Sequence, residues 1–218
     1  PCPYTKRAFR TGRGVEMSDE NGKEVLFEVT KDHLDTGLRG IPVGTCRTSF
    51  VDPKKGVHYC GYPVGDLAEM SPEDVIFLLF EKRLPNRQES QDFRHELVQR
   101  AERLPTGALR VLESLTPGSG HPMDWLSIGI QSLGVAETTG DIRADGLNLI
   151  SRMPELMATI FCLRGRRGLP EVASEPQRGM VENFVHLLGL EGTDADRMIR
   201  TLRVFLVLHM DHGGGNLS

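Results

Sequence analysis

The sequence predicts a mainly α-helical fold with a small β element at its N-terminal end. Three observations carry that expectation. From Ser71 onward, apolar residues recur every three or four positions in segment after segment. Capping residues, prolines and glycines fall between those segments, with Pro154 as the exception. Runs that read as strands are short and confined to the chain before Pro63. The expected division is an N-terminal segment with short hairpins over 1–62 and a multi-helical part over 63–218.

The elements follow in order. Asp19-Glu20-Asn21-Gly22 reads as a turn before the strand-like run Lys23–Thr30, so Gly12–Thr30 is expected to be a small β element. A second hairpin fits Thr45–Tyr59, turned by Asp52-Pro53-Lys54-Lys55-Gly56. Ser71 is a helix N-cap, with Pro72 at the first helical position and Glu73 and Asp74 complementing the helix dipole. Leu84-Pro85 stops that helix. Gln88–Leu104 carries Phe93, Leu97 and Ala101 on one face, and Gly107–Leu115 is a shorter helix. Thr116–Gly120 is a loop. Pro122–Gly134 is a helix rich in small residues (Ser127, Gly129, Ser132, Gly134), a composition that permits close approach of another helix. Asp141–Arg164 is a long helix that Pro154 should kink or divide. Gln177–Leu190 is amphipathic, and Thr193-Asp194 should cap the last helix.

Composition excludes several classes of function. The net charge of −4 over 218 residues offers no basic surface for nucleic acid or an anionic membrane. No apolar run is long enough to span a bilayer, and Pro1–Lys6 has no apolar core of a signal peptide. Cys2, Cys46, Cys60 and Cys162 are scattered, which reads as reduced thiols. The expected compartment is the cytoplasm, or the mitochondrial matrix in a eukaryote.

The richest chemistry lies at the end, in His209-Met210-Asp211-His212-Gly213-Gly214-Gly215-Asn216-Leu217-Ser218. Met198, Leu202, Phe205, His209 and His212 form one helical stripe, apolar until its last turn. Four readings apply. Buried, hydrogen-bonded histidines at a helix end need no ligand. A metal centre needs three or four ligands, and no cysteine pair or Glu-x-x-His completes the set, so no metal is expected. His212–Gly215 spells an esterase oxyanion loop, but that chemistry needs a Gly-x-Ser-x-Gly elbow, and Gly118-Ser119-Gly120 has the wrong spacing. The fourth reading makes His212 an N–H donor that polarises a ligand carbonyl, favoured by helix-end carbonyls and by glycines that let a ligand approach.

The spacing His-x-Asp-His-x-x-x-Asn-x-Ser resembles that of the citrate synthase family. Further motifs follow in family order: Gly37-Leu38-Arg39-Gly40-Ile41-Pro42-Val43; Gly56-Val57-His58-Tyr59-Cys60-Gly61-Tyr62-Pro63-Val64-Gly65-Asp66-Leu67-Ala68; Leu84-Pro85; and His121-Pro122-Met123-Asp124. The chain departs from the pattern at Cys60, where arginine is usual, at Lys82, where glycine is common, and at Gly213, where many members carry glutamate. Cys60 and Lys82 are expected to lie away from the histidine segment.

The resemblance implies the first part of a multi-helical large domain. It implies condensation of acetyl-coenzyme A with oxaloacetate to citrate and coenzyme A, without a metal or redox cofactor, in a homodimer or dimer-based oligomer. It places oxaloacetate on His212, Asn216 beside the same ligand, and His209 and Ser218 in support. The remaining catalytic groups would follow Ser218, so the chain alone should be inactive. The dimer is expected to form through Pro122–Gly134 and Ala144–Leu163. 2-Methylcitrate synthase, which admits propionyl-coenzyme A, is an alternative, as is a non-catalytic helical dimerisation module. The Arg164–Arg167 cluster reads as a solvated helix end before it reads as a phosphate site. His121 reads as a helix start and Trp125 as helix packing. Gly12-Arg13-Gly14 is too short for a phosphate loop.

Overall fold

In the computed structural model, the residues described are 28–35, 46–52, 54–101, 103–211. The expected hairpin over Gly12–Thr30 lies almost wholly outside them, as do Gly37–Val43 and Cys2. A 3₁₀ turn over Lys31–Asp35 precedes three antiparallel strands: β1 (Ser49–Asp52), β2 (Gly56–Tyr59) and β3 (Tyr62–Pro63), in that spatial order. The expected hairpin is present, with Ser49 opposite Tyr59 and Asp52 opposite Gly56. Asp52 Oδ1 accepts the amides of Lys54 and Lys55, which closes the turn. The β2–β3 turn is Cys60-Gly61, both at positive φ (47° and 93°), the backbone of a two-residue hairpin turn. Cys46, Cys60 and Cys162 form no disulfide with one another.

Eight helices follow among the described residues: α1 (Val64–Leu67), α2 (Pro72–Glu81), α3 (Arg87–Arg100), α4 (Thr106–Glu113), α5 (Pro122–Glu137), α6 (Ile142–Arg164), α7 (Met180–Leu187) and α8 (Gly192–Leu208). Ser71 caps α2 as expected, its Oγ accepting the Asp74 amide. Asn86 and Glu89 form a capping box at α3, and His121 and Asp124 do the same at α5. Lys82 ends α2 at φ 62°, the left-handed position that glycine favours; this is the physical reason for a glycine there.

Several boundaries differ from expectation. α3 stops at Arg100, and α5 runs on to Glu137. α6 passes through Pro154 without ending. α7 is shorter than Gln177–Leu190, because the preceding residues are pinned in a non-helical path: Asn183, buried, accepts the Glu175 amide and donates to the carbonyls of Glu175 and Arg178. α7 also lacks a side-chain cap of its own. The buried Glu73 carboxylate of α2 accepts the Met180 amide at 2.8 Å instead. Thr193-Asp194 does not cap α8; the N-cap is Glu191, with no side-chain hydrogen bond.

Three apolar clusters hold the helices. Leu104, Ala108, Leu112, Trp125, Leu133, Leu156 and Ile160 join α4, α5 and α6. Ile76, Phe77, Phe93, Leu97 and Leu147 join α2, α3 and α6. Tyr59, Leu67, Val75, Leu78 and Val207 join the sheet to α1, α2 and the end of α8. The small residues of α5 serve the first cluster. A Cβ on Gly129 would stand 2.6 Å from Leu156 Cδ1 of α6, so this glycine permits close approach within the chain. It is therefore no probe of a subunit contact, contrary to its expected role in a dimer interface.

Candidate functional site at the end of helix α8

The C-terminal turn of α8 is anchored from one side. Val207 is fully buried against Tyr59, Leu67, Val75 and Leu78, and Met210 packs against the same cluster. Tyr59, also fully buried, donates its hydroxyl to the Leu208 carbonyl at 3.2 Å. The same oxygen accepts the Asp211 amide at 3.4 Å. Cys60, next in sequence, therefore lies in the turn beside this anchor, not away from the histidine segment as expected; its Sγ donates to the Leu78 carbonyl.

His209 is the C-cap of α8 and is exposed, so the buried reading of this histidine does not hold in this chain. Its ring stacks on Phe205, with centroids 4.2 Å apart, and Nδ1 lies 2.8 Å from the Phe205 carbonyl. A carbonyl only accepts, so Nδ1 is the donor in this contact. His212, Asn216 and Ser218, with the three glycines, lie outside the described residues. The chain enters them from Asp211, whose amide Tyr59 holds. α8 itself ends at Leu208, with His209 as its C-cap.

The stripe is not a core face in this chain. Met198 is 37% exposed and Phe205 54% exposed, with Val204, Leu206 and Leu208 also open. The buried residues of α8 are Ala195 and Val207, on the side that α1, α2 and α7 cover. Among the described residues the apolar stripe is therefore largely open, with Phe205 stacked on His209.

Two arginines at the end of α6 and just beyond it, Arg164 and Arg167, are spent on backbone. Arg164 donates to the carbonyls of Ser119 and Gly120 and lies over the Trp125 ring, 5.4 Å from its centroid, while Trp125 Nε1 donates to Ser119. Arg167 donates to the Leu188 carbonyl at the end of α7. A cleft of about 450 Å³ lies between α3 and residues 176–177, and no residue of α8 lines it. Among the described residues no three His, Cys, Asp or Glu side chains are grouped to hold a metal ion, and no helix is long and apolar enough to cross a membrane.

Tyr59 is the residue that sequence reasoning passed over. It stood within the quoted Gly56–Ala68 motif, but neither charge nor nucleophilic chemistry drew attention to it. The available signal was a tyrosine on a short strand beside a Cys-Gly turn, since a buried tyrosine hydroxyl must find partners.

Comparison with known proteins agrees with this architecture. The family described as "Citrate synthase, C-terminal domain" matches residues 37–218. Mitochondrial citrate synthase 4 of Arabidopsis thaliana is 26% identical over 227 residues, covering 93% of this chain and 47% of that protein. A mitochondrial 2-methylcitrate synthase of Aspergillus fumigatus is 28% identical over 223 residues, covering 91% of this chain and 48% of that protein. The crystal structure of citrate synthase from Thermotoga maritima MSB8 shares the fold, with a TM-score of 0.69 at 24% identity over 83% of this chain and 48% of that one. This chain thus spans about half the length of the curated relatives it matches. With the family match covering most of its length and the helical fold agreeing, the chain belongs to the citrate synthase family.

Proposed function

We propose that this chain carries part of a citrate synthase that condenses acetyl-coenzyme A with oxaloacetate to give citrate and coenzyme A. The observation that supports it best is the segment His209–Ser218, which keeps the family's spacing within the matched region and follows directly on α8, which ends at Leu208. In this reading His212 donates a hydrogen bond to the oxaloacetate ketone. Polarising that carbonyl makes its carbon the electrophile for the enol of the acetyl group. Asn216 lies beside the same ligand, and His209 and Ser218 support the segment. The reaction needs no metal or redox cofactor: a methyl proton leaves, a carbon–carbon bond forms, and water then cleaves the thioester.

Condensation also needs a base for a weakly acidic methyl group, a donor for the enol oxygen and cations for two carboxylates. Between Arg203 and Ser218 there is no arginine, and Asp211 and His212 are adjacent in sequence. The 218-residue chain alone is therefore expected to release no coenzyme A from acetyl-coenzyme A and oxaloacetate. Turnover above the blank would refute this. In the protein joined to the remaining half, His212→Ala should lower kcat and raise the KM for oxaloacetate, because carbonyl polarisation strengthens in the transition state. Unchanged kinetics would refute the role of His212.

A second reading, 2-methylcitrate synthase, is supported by relatives of that name at comparable identity. Parallel assays with acetyl- and propionyl-coenzyme A separate the two; one methylene is worth about 1–3 kcal/mol of discrimination. A homodimer through α5 and α6 fits the exposed Met123, Ile128 and Val135 of α5, and sedimentation tests it. Scattered thiols suit the cytoplasm or the mitochondrial matrix.

A further inference from the structure

We propose that Tyr59 is a positioning residue: its hydroxyl, shared between the Leu208 carbonyl and the Asp211 amide, decides where α8 ends and so where His212 is presented. The proposal rests on the reading that His212 meets the ligand.

Helix ends are usually written locally, by a glycine or asparagine in the left-handed conformation just past the last turn. α8 has no such signal. His209 has φ −115°, and none of residues 209–211 is at positive φ. The His209 and Met210 amides fold back on the carbonyls of Leu206 and Val207, a tightened last turn. The next amide, Asp211, would continue the helix by bonding to the Val207 carbonyl. It bonds to Tyr59 instead, 152 residues earlier in the chain. The same hydroxyl satisfies the Leu208 carbonyl, one of the acceptors that a helix end leaves open.

Tyr59 is suited to act as a fixed reference. Its ring is fully buried in the cluster of Leu67, Val75, Leu78 and Val207, and its backbone is paired on both sides, with Ser49 and with Tyr62. Both hydrogen-bonding capacities of the hydroxyl point at one short stretch of α8. Removing the hydroxyl frees the Asp211 amide to extend the helix. Each added helical residue turns the chain by about 100° and advances it about 1.5 Å. A change of that size at Asp211 moves the point from which the chain runs on to His212.

The test is Tyr59→Phe in the 218-residue chain, which keeps the ring and removes only the oxygen. Backbone NMR reads the Cα shifts and the amide exchange of Asp211 and His212. We expect Asp211 to move towards helical shifts and its amide exchange to change several-fold, with Leu78 and Trp125 unaffected. Leu67→Ala is the control for a merely structural role: it weakens the same cluster without touching the hydroxyl and should leave the Asp211 shifts in place. Unchanged Asp211 shifts in Tyr59→Phe, or the same displacement in Leu67→Ala, would overturn the proposal. A second arm, in the protein joined to the remaining half, measures steady-state kinetics. Tyr59→Phe should raise the KM for oxaloacetate about tenfold, the scale of one lost hydrogen bond. An unchanged KM alongside displaced shifts would overturn the link to presentation. If His212→Ala has no kinetic effect either, the functional reading fails, and the backbone shifts still decide the helix-ending role of Tyr59.

Discussion

The close approach of α5 and α6 at Gly129 makes a quantitative prediction. A Cβ on Gly129 would lie 2.6 Å from Leu156 Cδ1 and 3.4 Å from Leu156 Cδ2. Carbon atoms in good contact sit about 3.5–4.0 Å apart, so Gly129→Ala demands a shift of roughly 1 Å. Leu156 has little room to give: it is fully buried among Leu104, Ala108, Leu112, Trp125, Leu133 and Ile160. Overpacking of this kind costs about 1–3 kcal/mol. Alanine in a helix interior recovers about 1 kcal/mol over glycine. The net is about 1 kcal/mol of destabilisation, or roughly 2–4 °C in Tm for a chain of this size. The sign should reverse when the obstacle is removed. Leu156→Ala alone costs about 2–5 kcal/mol. On that background Gly129→Ala meets no clash and should stabilise by about 1 kcal/mol, a coupling of about 2 kcal/mol across the pair. Thermal or urea unfolding of the four proteins measures the cycle. Stabilisation by Gly129→Ala in the native background, or additive effects, would refute the close-approach argument.

Three further predictions concern charge and capping. Hydrogen bonds from Arg83, then from the Asn86 amide, hold the Glu89 carboxyl down to about 2. A depressed carboxyl stabilises the fold above its unfolded value near 4.5 and loses that contribution as pH falls towards 2. Glu89→Gln should therefore lower Tm at pH 7 and match the native chain near pH 2. Glu155 has the opposite sign: burial pushes its carboxyl up, against the Leu104 amide and the charges of Arg103 and Arg152. Its ionisation opposes folding at neutral pH, so Glu155→Gln should raise Tm at pH 7, with the gain vanishing below about pH 4. Lys82→Gly should stabilise by up to about 1 kcal/mol, since φ 62° suits glycine; a fall in Tm would show that the Lys82 ammonium on the Leu79 carbonyl matters more.

The helices were legible where their ends are written locally. Ser71-Pro72, Asn86 with Glu89, His121 with Asp124, and Asp141 each satisfy their own helix start, so sequence position and structure agree. Expectation failed where an end is written by a distant residue. α7 begins at Met180 because Glu73, 107 residues away, accepts its amide, and because Asn183 ties down the loop before it. α8 ends at Leu208 with Tyr59 holding the amide that would continue it. Neither partner has a spacing that a reading of neighbouring residues can detect. The site shows the same split. The histidine segment was legible as a motif, whereas the tyrosine that holds its approach was not.

The α8 stripe marks a different limit. Met198, Leu202 and Phe205 recur at helical spacing, and periodicity alone reads them as core. Periodicity records which face of a helix is apolar; it does not record what covers that face. Here the neighbours α1, α2 and α7 take the side of Ala195 and Val207, and the stripe through Phe205 stays open. A run of exposed apolar side chains on one helix exceeds the scatter of single ones found on any surface. His209 lies on that open face, stacked on Phe205 and not enclosed by core. Anything that packs on Phe205 would also meet His209, since the two rings are stacked. A stripe that turns from apolar to imidazole at its last turn is thus evidence about the face a site is built on. The burial of each residue along it is a separate quantity, set by which neighbouring elements cover that face.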